Sequence, residues 1–120
     1  MSDLSPEMLI QKQLDVYNAR DLEALLAIYS PDAQIYEHPS TLVANGTDDL
    51  RARYTARFQE PNLYATLVNR IVMGNIVIDH ERITRTFPEG TGTLEMTMIY
   101  EVQGQHIVKA WSIVGQKILD

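Results

Sequence analysis

The sequence predicts an α+β fold in which three N-terminal helices pack against a mainly antiparallel sheet. Apolar side chains recur at intervals of three and four in residues 6–58, which is typical of amphipathic helices. From Leu63 onward they recur at every second residue, which is typical of strands. Turns that contain Gly divide this second half into hairpins. With 120 residues the chain has the size of one domain, so residues 1–120 are expected to form a single unit.

Each of the three helices is expected to begin at a capping residue. Ser5, followed by a proline and an acidic residue, predicts a helix over residues 6–18. Asp21 can cap a short second helix that ends at residues 30–32. Thr47 is expected to cap the third helix, whose two following aspartates are favourable near the positive end of the helix dipole.

A first short strand and a later meander of four strands account for most of the remaining chain. The expected strands are residues 33–38, 63–73, 76–87, 93–103 and 106–114. The fourth of these alternates most cleanly, since one face carries Leu94, Met96, Met98, Tyr100 and Val102. The helices are expected to cover one face of this sheet.

The final strand is apolar on both faces, which predicts a second cover. The face expected to meet the helices carries Val108, Ala110, Ser112 and Val114. The opposite face carries Ile107, Trp111 and Ile113. Because a strand of this kind is buried on both sides, we expect a homodimer through the outer face of the sheet, with Trp111 at its centre. The alternative is the reverse orientation, in which Trp111 lines the cavity as a platform for a ligand.

Composition argues against several classes of protein. The chain has 16 acidic and 10 basic residues and a formal charge of −6, so a nucleic-acid binder is not expected. The absence of cysteine excludes disulfides and thiolate metal sites. The three histidines are far apart in sequence, and no metal site is expected. No apolar run approaches the ~20 residues of a membrane span, and the first residues do not resemble a signal peptide, so we expect a cytoplasmic protein without a membrane partner.

The segment Tyr36-Glu37-His38-Pro39 is the first candidate for chemistry. Proline ends the strand near His38, and a histidine at a strand end can face a cavity mouth and act as a general base. The alternative is a solvent-exposed histidine at a strand end. Glu37 is an alternative base.

The segment Asp79-His80-Glu81-Arg82 is the second candidate. Alternation places Asp79 and Glu81 on one face of a strand and His80 and Arg82 on the other, and the sequence does not decide which face is buried. Charged groups in such a strand either line a polar pocket or form ion pairs across strands. The partners available for such pairs are Arg70, Arg85 and Glu95.

An ordered series of short motifs over residues 6–115 resembles the nuclear transport factor 2-like superfamily, in its ketosteroid-isomerase and SnoaL-like branch. The motifs are Asn18-Ala19-Arg20-Asp21, Tyr29-Ser30-Pro31-Asp32-Ala33, Glu37-His38-Pro39 and Gly46-Thr47-Asp48-Asp49-Leu50-Arg51. This resemblance implies a cone-shaped, cystatin-like fold, with a curved sheet around an apolar cavity and a dimer through the outer face of the sheet.

The resemblance also implies a function and a set of site residues. The family's oxyanion tyrosine aligns with Gln13 and its neutral acid with Met98, whereas a network tyrosine is matched by Tyr54. Ketosteroid isomerisation by the family's own mechanism is therefore not expected. The resemblance implies general acid–base chemistry of the isomerase, dehydratase or cyclase type, on a small apolar carbonyl or hydroxy compound and without a metal or organic cofactor. The alternative is a non-catalytic small-molecule-binding or scaffold protein of the same fold.

The expected site residues fall into two groups. His38 is expected to act as base and Glu37 as its orienter or substitute, while Tyr54 with His80 or Asp79 supplies polar contacts. The cavity wall is expected to come from Leu14, Tyr17, Tyr29, Met96, Met98, Tyr100, Ala110 and Ser112.

Overall fold

The computed structural model describes residues 3–120, and it confirms the predicted α+β class. Met1 and Ser2, on which part of the signal-peptide argument depends, lie outside the described residues. The helices are α1 (Pro6–Asn18), α2 (Leu22–Ile28) and α3 (Thr47–Arg57). The strands are β1 (Tyr29–Glu37), β2 (Thr41–Asn45), β3 (Tyr64–Met73), β4 (Ile76–Phe87), β5 (Gly90–Gln103) and β6 (His106–Leu119).

The six strands form one sheet in the order β2-β1-β6-β5-β4-β3. The last four strands form the predicted antiparallel meander. β1 pairs in parallel with β6, so the first strand joins the far side of the meander. The three helices lie against one face of this sheet, and most of the buried apolar residues lie between the two layers.

The first two helix caps were predicted and the third was not. The side chain of Ser5 accepts a hydrogen bond from the backbone N–H of Met8, and Asp21 accepts one from Ala24. The cap of α3 is Gly46, whose φ of 87° suits glycine, and Thr47 is the first helical residue. The predicted cap at Thr47 is therefore wrong by one position.

Several strand boundaries differ from the prediction because pairing in the sheet overrides local signals. β5 begins at Gly90 and β6 continues to Leu119, since Gly92 pairs with Leu119. α2 ends at Ile28, and β1 begins at Tyr29, which pairs with Ile107 in β6. The short edge strand β2 was not predicted, since it is five residues long and lies next to turn residues. Its structure depends on antiparallel pairing with β1.

A bulge in β6 reverses the predicted orientation of Ile107. Ile107 pairs with Val102 and Lys109 with Glu101, so Val108 is an extra residue in the strand. Ile107 is therefore fully buried on the inner face, where Val108 was expected. Beyond the bulge, Ala110 and Ser112 are buried on the inner face as predicted.

The inner face of β4 contains two neighbouring carboxyl groups. Val77, Asp79, Glu81 and Ile83 are all buried, so His80 and Arg82 point to the outer face. Arg70 on β3 binds both carboxylate oxygens of Asp79, at 2.6 Å through Nε and 2.9 Å through its second terminal nitrogen. Its first terminal nitrogen donates to Gln11 of α1 at 2.9 Å. One arginine thus joins two strands to the helical layer.

We expect Arg70→Leu to lower the free energy of unfolding by about 3 kcal/mol or more, because it leaves the Asp79 carboxylate buried without its counterion. Chemical denaturation at neutral pH measures the change. The double variant Arg70→Leu/Asp79→Asn removes both charges and should recover a large part of the loss. Equal stability of the single and double variants would contradict this view of the ion pair.

Candidate functional site

A cavity lies between the helices and the inner face of the sheet. The empty space here, which includes solvent at the open side, is about 520 Å³. Seven of the residues expected at the site line it: Leu14, Tyr17, Tyr54, Met96, Met98, Tyr100 and Ser112. Seven further lining residues were not expected there: Gln13, Ile35, Arg53, Arg57, Ala65, Glu81 and Ile83.

The remaining expected residues lie outside the cavity lining. Tyr29 is buried behind it, with its hydroxyl oxygen 3.3 Å from that of Tyr54, and Ala110 is buried in the sheet. Asp79 is held by Arg70. His80 lies on the outer face, where its Nε2 is 2.9 Å from a carboxylate oxygen of Glu95. For Asp79 and His80 the structure therefore shows the cross-strand ion-pair alternative.

Glu37 and His38 do not reach the cavity, which corrects the expected position of the base. Ile35 is the last β1 residue that lines the cavity. The strand ends at Glu37 and the chain turns over residues 38–40 into β2, so both side chains are exposed. The backbone N–H of His38 still donates to the carbonyl of Ser112, at 2.8 Å. This edge of the sheet holds the His38 backbone and leaves its imidazole in solvent.

Glu81 is the ionisable acid that the fold brings into the cavity. Its side chain is 4% exposed and lies beside Met96, its register partner on β5. Burial and, to a smaller extent, the neighbouring Asp79 raise the pKa of Glu81 from 4.5 to about 7, and Arg70 partly opposes this shift. A carboxyl group with this pKa exchanges its proton at neutral pH.

Three buried tyrosines, two in the cavity lining and one behind it, are neutral hydrogen-bonding groups. Burial raises the pKa of Tyr17 to about 12, although Arg57 opposes this shift. The Tyr17 hydroxyl is buried without a hydrogen-bond partner among residues 3–120. Tyr100 donates to Gln13 Oε1 at 3.3 Å, and burial raises the pKa values of Tyr29 and Tyr100 well above 10.0. At neutral pH these hydroxyls therefore keep their protons.

Arg53 and Arg57 extend along one side of α3 and add positive charge to the cavity lining. Arg57 Nε lies 3.8 Å from Glu60, whose carboxylate is bound more closely by Arg85, at 2.6 Å. Within residues 3–120, Arg53 forms no ion pair of 4.0 Å or less.

The missed residues had weak signals in the sequence. Alternation along β4 places Glu81 on the same face as Asp79, but it does not say which face is inside. Gln13 lies four residues before Tyr17 on the buried side of α1, and such a polar residue is easily assigned to the surface. Arg53 and Arg57 directly precede Tyr54 and Phe58, which belong to the buried stripe of α3. A position of the two arginines at the margin of this stripe could therefore have been inferred.

The described residues lack two further features, a metal site and a membrane-spanning helix. Across residues 3–120, no group of three or more His, Asp or Glu side chains comes together in a way that could hold a metal ion. In the same range, no helix is both long and apolar enough to cross a membrane.

Comparisons with solved structures identify the same architecture. An uncharacterised cystatin-fold protein from Novosphingobium aromaticivorans is 20% identical, with a TM-score of 0.84 over 92% of this chain and 98% of that one. An NTF2-like protein of unknown function from Burkholderia pseudomallei is 15% identical, with a TM-score of 0.80 over 96% and 92%. A hypothetical protein with a ketosteroid isomerase-like fold from Catenulispora acidiphila, in complex with trimethylamine, is 12% identical, with a TM-score of 0.75 over 91% and 85%.

At these identities the structural similarity shows the fold alone. No curated protein matches the chain. The model of the SnoaL-like domain matches residues 10–110, which include all the cavity-lining residues except Ser112. The chain therefore belongs to the SnoaL-like domain family, within the nuclear transport factor 2-like superfamily that its motifs resemble.

Proposed function

We propose that this protein is an enzyme that moves a proton on a small apolar carbonyl or hydroxy compound, with Glu81 as the general base or acid. The observation that carries the proposal is a buried carboxyl group that lines the cavity and has a pKa of about 7. General acid–base catalysis is most efficient when the pKa of the group lies near the working pH. The reaction would be of the isomerase, dehydratase or cyclase type.

The cavity wall supports this proposal by its chemistry. Met96, Met98 and Leu14 offer apolar surface to the body of a ligand. The unpartnered Tyr17 hydroxyl, which keeps its proton at neutral pH, can donate to an oxygen on which negative charge develops. This chemistry uses groups of the protein alone, in line with the prediction that no metal or organic cofactor takes part. The cytoplasmic location also stays a prediction.

A second candidate function is non-catalytic binding of a small molecule. The hydrogen bond from Tyr100 to Gln13 favours it. Gln13 stands at the position of the family's oxyanion tyrosine, and the Tyr100 hydroxyl donates to Gln13 and is therefore not free to donate to a ligand. A binding protein needs the cavity but does not need the Glu81 proton, and this difference separates the two candidates.

We expect the wild-type protein to accelerate the ring opening of 5-nitrobenzisoxazole, which requires only that a base remove one proton from carbon. The rate should rise with pH around a midpoint near 7, where Glu81 loses its proton. Glu81→Gln should lower the rate about 100-fold, within the usual range for loss of a general base. The absorbance of the product measures the reaction.

The control for this experiment is Glu7→Gln, which makes the same chemical change at an exposed position on α1 and should leave the rate unchanged. His38→Ala belongs in the same series because the sequence suggested His38 as the base. Loss of the rate in His38→Ala, with Glu81→Gln still active, would refute Glu81 as the base. Equal rates in wild type and Glu81→Gln, with the compound bound by both, would favour the binding protein.

Glu81 should also make folding stability depend on pH. The folded protein binds the Glu81 proton more tightly than the unfolded chain does, since the pKa is about 7 in one and 4.5 in the other. Stability from this group is therefore greatest below pH 4.5 and falls as the pH rises to 7, by about 3 kcal/mol in total. Thermal unfolding of wild type and Glu81→Gln from pH 5 to 8 measures it. Parallel stability curves for the two proteins would contradict the raised pKa.

The outer face of the sheet supports the proposed homodimer. An apolar row crosses five strands in register, through Ile71, Ile78, Ile99, Trp111 and Tyr36. Trp111 stacks on Tyr36 with ring centroids 6.0 Å apart, while Ile71 remains 47% exposed. Ile113, next along β6 on the same face, is 40% exposed. An apolar band of this extent is typical of an interface, and two copies related by a twofold axis would cover it.

We therefore expect wild type to sediment as a dimer and Ile113→Lys as a monomer, because the new charge would be buried in the interface. Trp111→Ala should weaken the dimer as well. Met8→Lys is the matched control, since Met8 is an exposed methionine on α1, away from the sheet. A monomeric wild type, or an unchanged dimer in Ile113→Lys, would show that another face or no face is used.

A further inference from the structure

The cavity carries positive charge in a chain that is acidic as a whole. The chain has 16 acidic and 10 basic residues. Arg53 and Arg57 nevertheless both line the cavity, from positions one turn apart on α3. The one carboxyl group in the lining is Glu81, whose raised pKa of about 7 leaves much of it uncharged at neutral pH.

Arg53 and Arg57 differ from Arg70 and Arg85, which are also partly buried, in having no counterion closer than 3.8 Å among residues 3–120. Arg70 is bound to Asp79 and Arg85 to Glu60, each with a contact of 2.6 Å. Glu60 also accepts from the backbone N–H of Thr86, so its second contact, to Arg57 at 3.8 Å, is the weakest it makes. Arg53 has no acidic partner within 4.0 Å among residues 3–120.

A half-buried guanidinium group without a counterion is costly, and an anion in the cavity would remove that cost. The planar guanidinium binds a carboxylate through two parallel hydrogen bonds, which makes arginine the usual residue for this recognition. Tyr17 provides a further donor in the same lining, since its buried hydroxyl donates to no group among residues 3–120, although Arg57 lies close enough to lower the pKa of this hydroxyl.

We propose that the ligand carries a carboxylate beside a small apolar body, and that Arg53 and Arg57 bind the carboxylate while the methionine-rich wall holds the apolar body. This inference rests on the proposed function, because it assigns the substrate class of the same cavity. It makes the two arginines specificity-determining residues, which select an anionic compound over neutral and cationic compounds of the same shape.

The test uses three naphthalene probes that differ in charge and little in shape: 2-naphthoate, 2-naphthamide and 2-naphthylmethylammonium. Calorimetric titration of wild type should give an affinity for the carboxylate about tenfold or more above that for the amide, as expected for a hydrogen-bonded ion pair. The ammonium probe should bind most weakly. Trimethylamine, which is bound in the structurally similar protein from Catenulispora acidiphila, is a cation at neutral pH. The ammonium probe therefore tests directly whether this cavity prefers a cation.

Substitution then assigns the preference to the two arginines. Arg53→Gln and Arg57→Gln should each reduce the ratio of carboxylate to amide affinity, and the double variant should bring it close to one. Arg51→Gln is the matched control, since Arg51 lies on the same helix but is exposed and pairs with Glu23. The amide affinity reports an intact cavity in every variant, and the three-probe comparison in wild type needs no variant at all.

The outcomes separate this inference from the proposed function. Equal affinity for the three probes, a preference for the ammonium, or a preference that survives in the double variant would overturn the carboxylate inference. In each of these cases the loss of proton transfer in Glu81→Gln would still support the enzyme. A carboxylate preference that depends on the arginines, together with an unchanged rate in Glu81→Gln, would support the ligand class and refute the base.

Discussion

The arrangement of the site depends on two carboxyl groups on one face of β4, of which only Asp79 is in contact with a counterion among residues 3–120. Asp79 and Glu81 are two residues apart in a strand, about 7 Å along the chain. Two charges at this distance repel by about 2 kcal/mol at an effective dielectric constant of 20. Arg70 binds both oxygens of Asp79, so this buried carboxyl group has a counterion in direct contact. Glu81 has no such partner, and burial together with Asp79 keeps its proton bound to a higher pH.

The sheet positions the two carboxyl groups, and the helices supply part of the cavity wall next to Glu81. α1 contributes Tyr17, and it also contributes Gln13, which accepts from Tyr100 on β5. α3 contributes Tyr54 from its buried side and two arginines from the margin of that side. The bulge at Val108 turns Ile107 inward, so β6 fills the core at its start and reaches the cavity at Ser112. α1, α3, β5 and β6 therefore contribute both to packing and to the cavity.

The spacing of apolar residues and the capping residues were enough to predict the α+β fold class, the three helices and the four-stranded meander. Pairing with other strands was needed for β2 and for Ile107, because a bulge is set by the partner strand and local sequence does not reveal it. Within the site, the alternation of Met96, Met98 and Tyr100 predicted the cavity wall. The alternation along β4 could not show whether Asp79 and Glu81 or His80 and Arg82 face the cavity, since the inward face of β4 is decided by the whole sheet. His38, the base expected from the sequence, lies outside the cavity lining because strand β1 ends before its side chain can turn inward.

The acid and the two arginines of the cavity lie on different elements, and this has a consequence for how such proteins diverge. Glu81 is fixed by the register of a central strand, where a change disturbs neighbours on both sides. Arg53 and Arg57 lie on a helix surface, where substitutions change charge at little cost to the core. Over evolutionary time the charge of the lining can therefore drift faster than the position of the acid. A single ancestral cavity could in this way give rise to descendants that accept ligands of different charge.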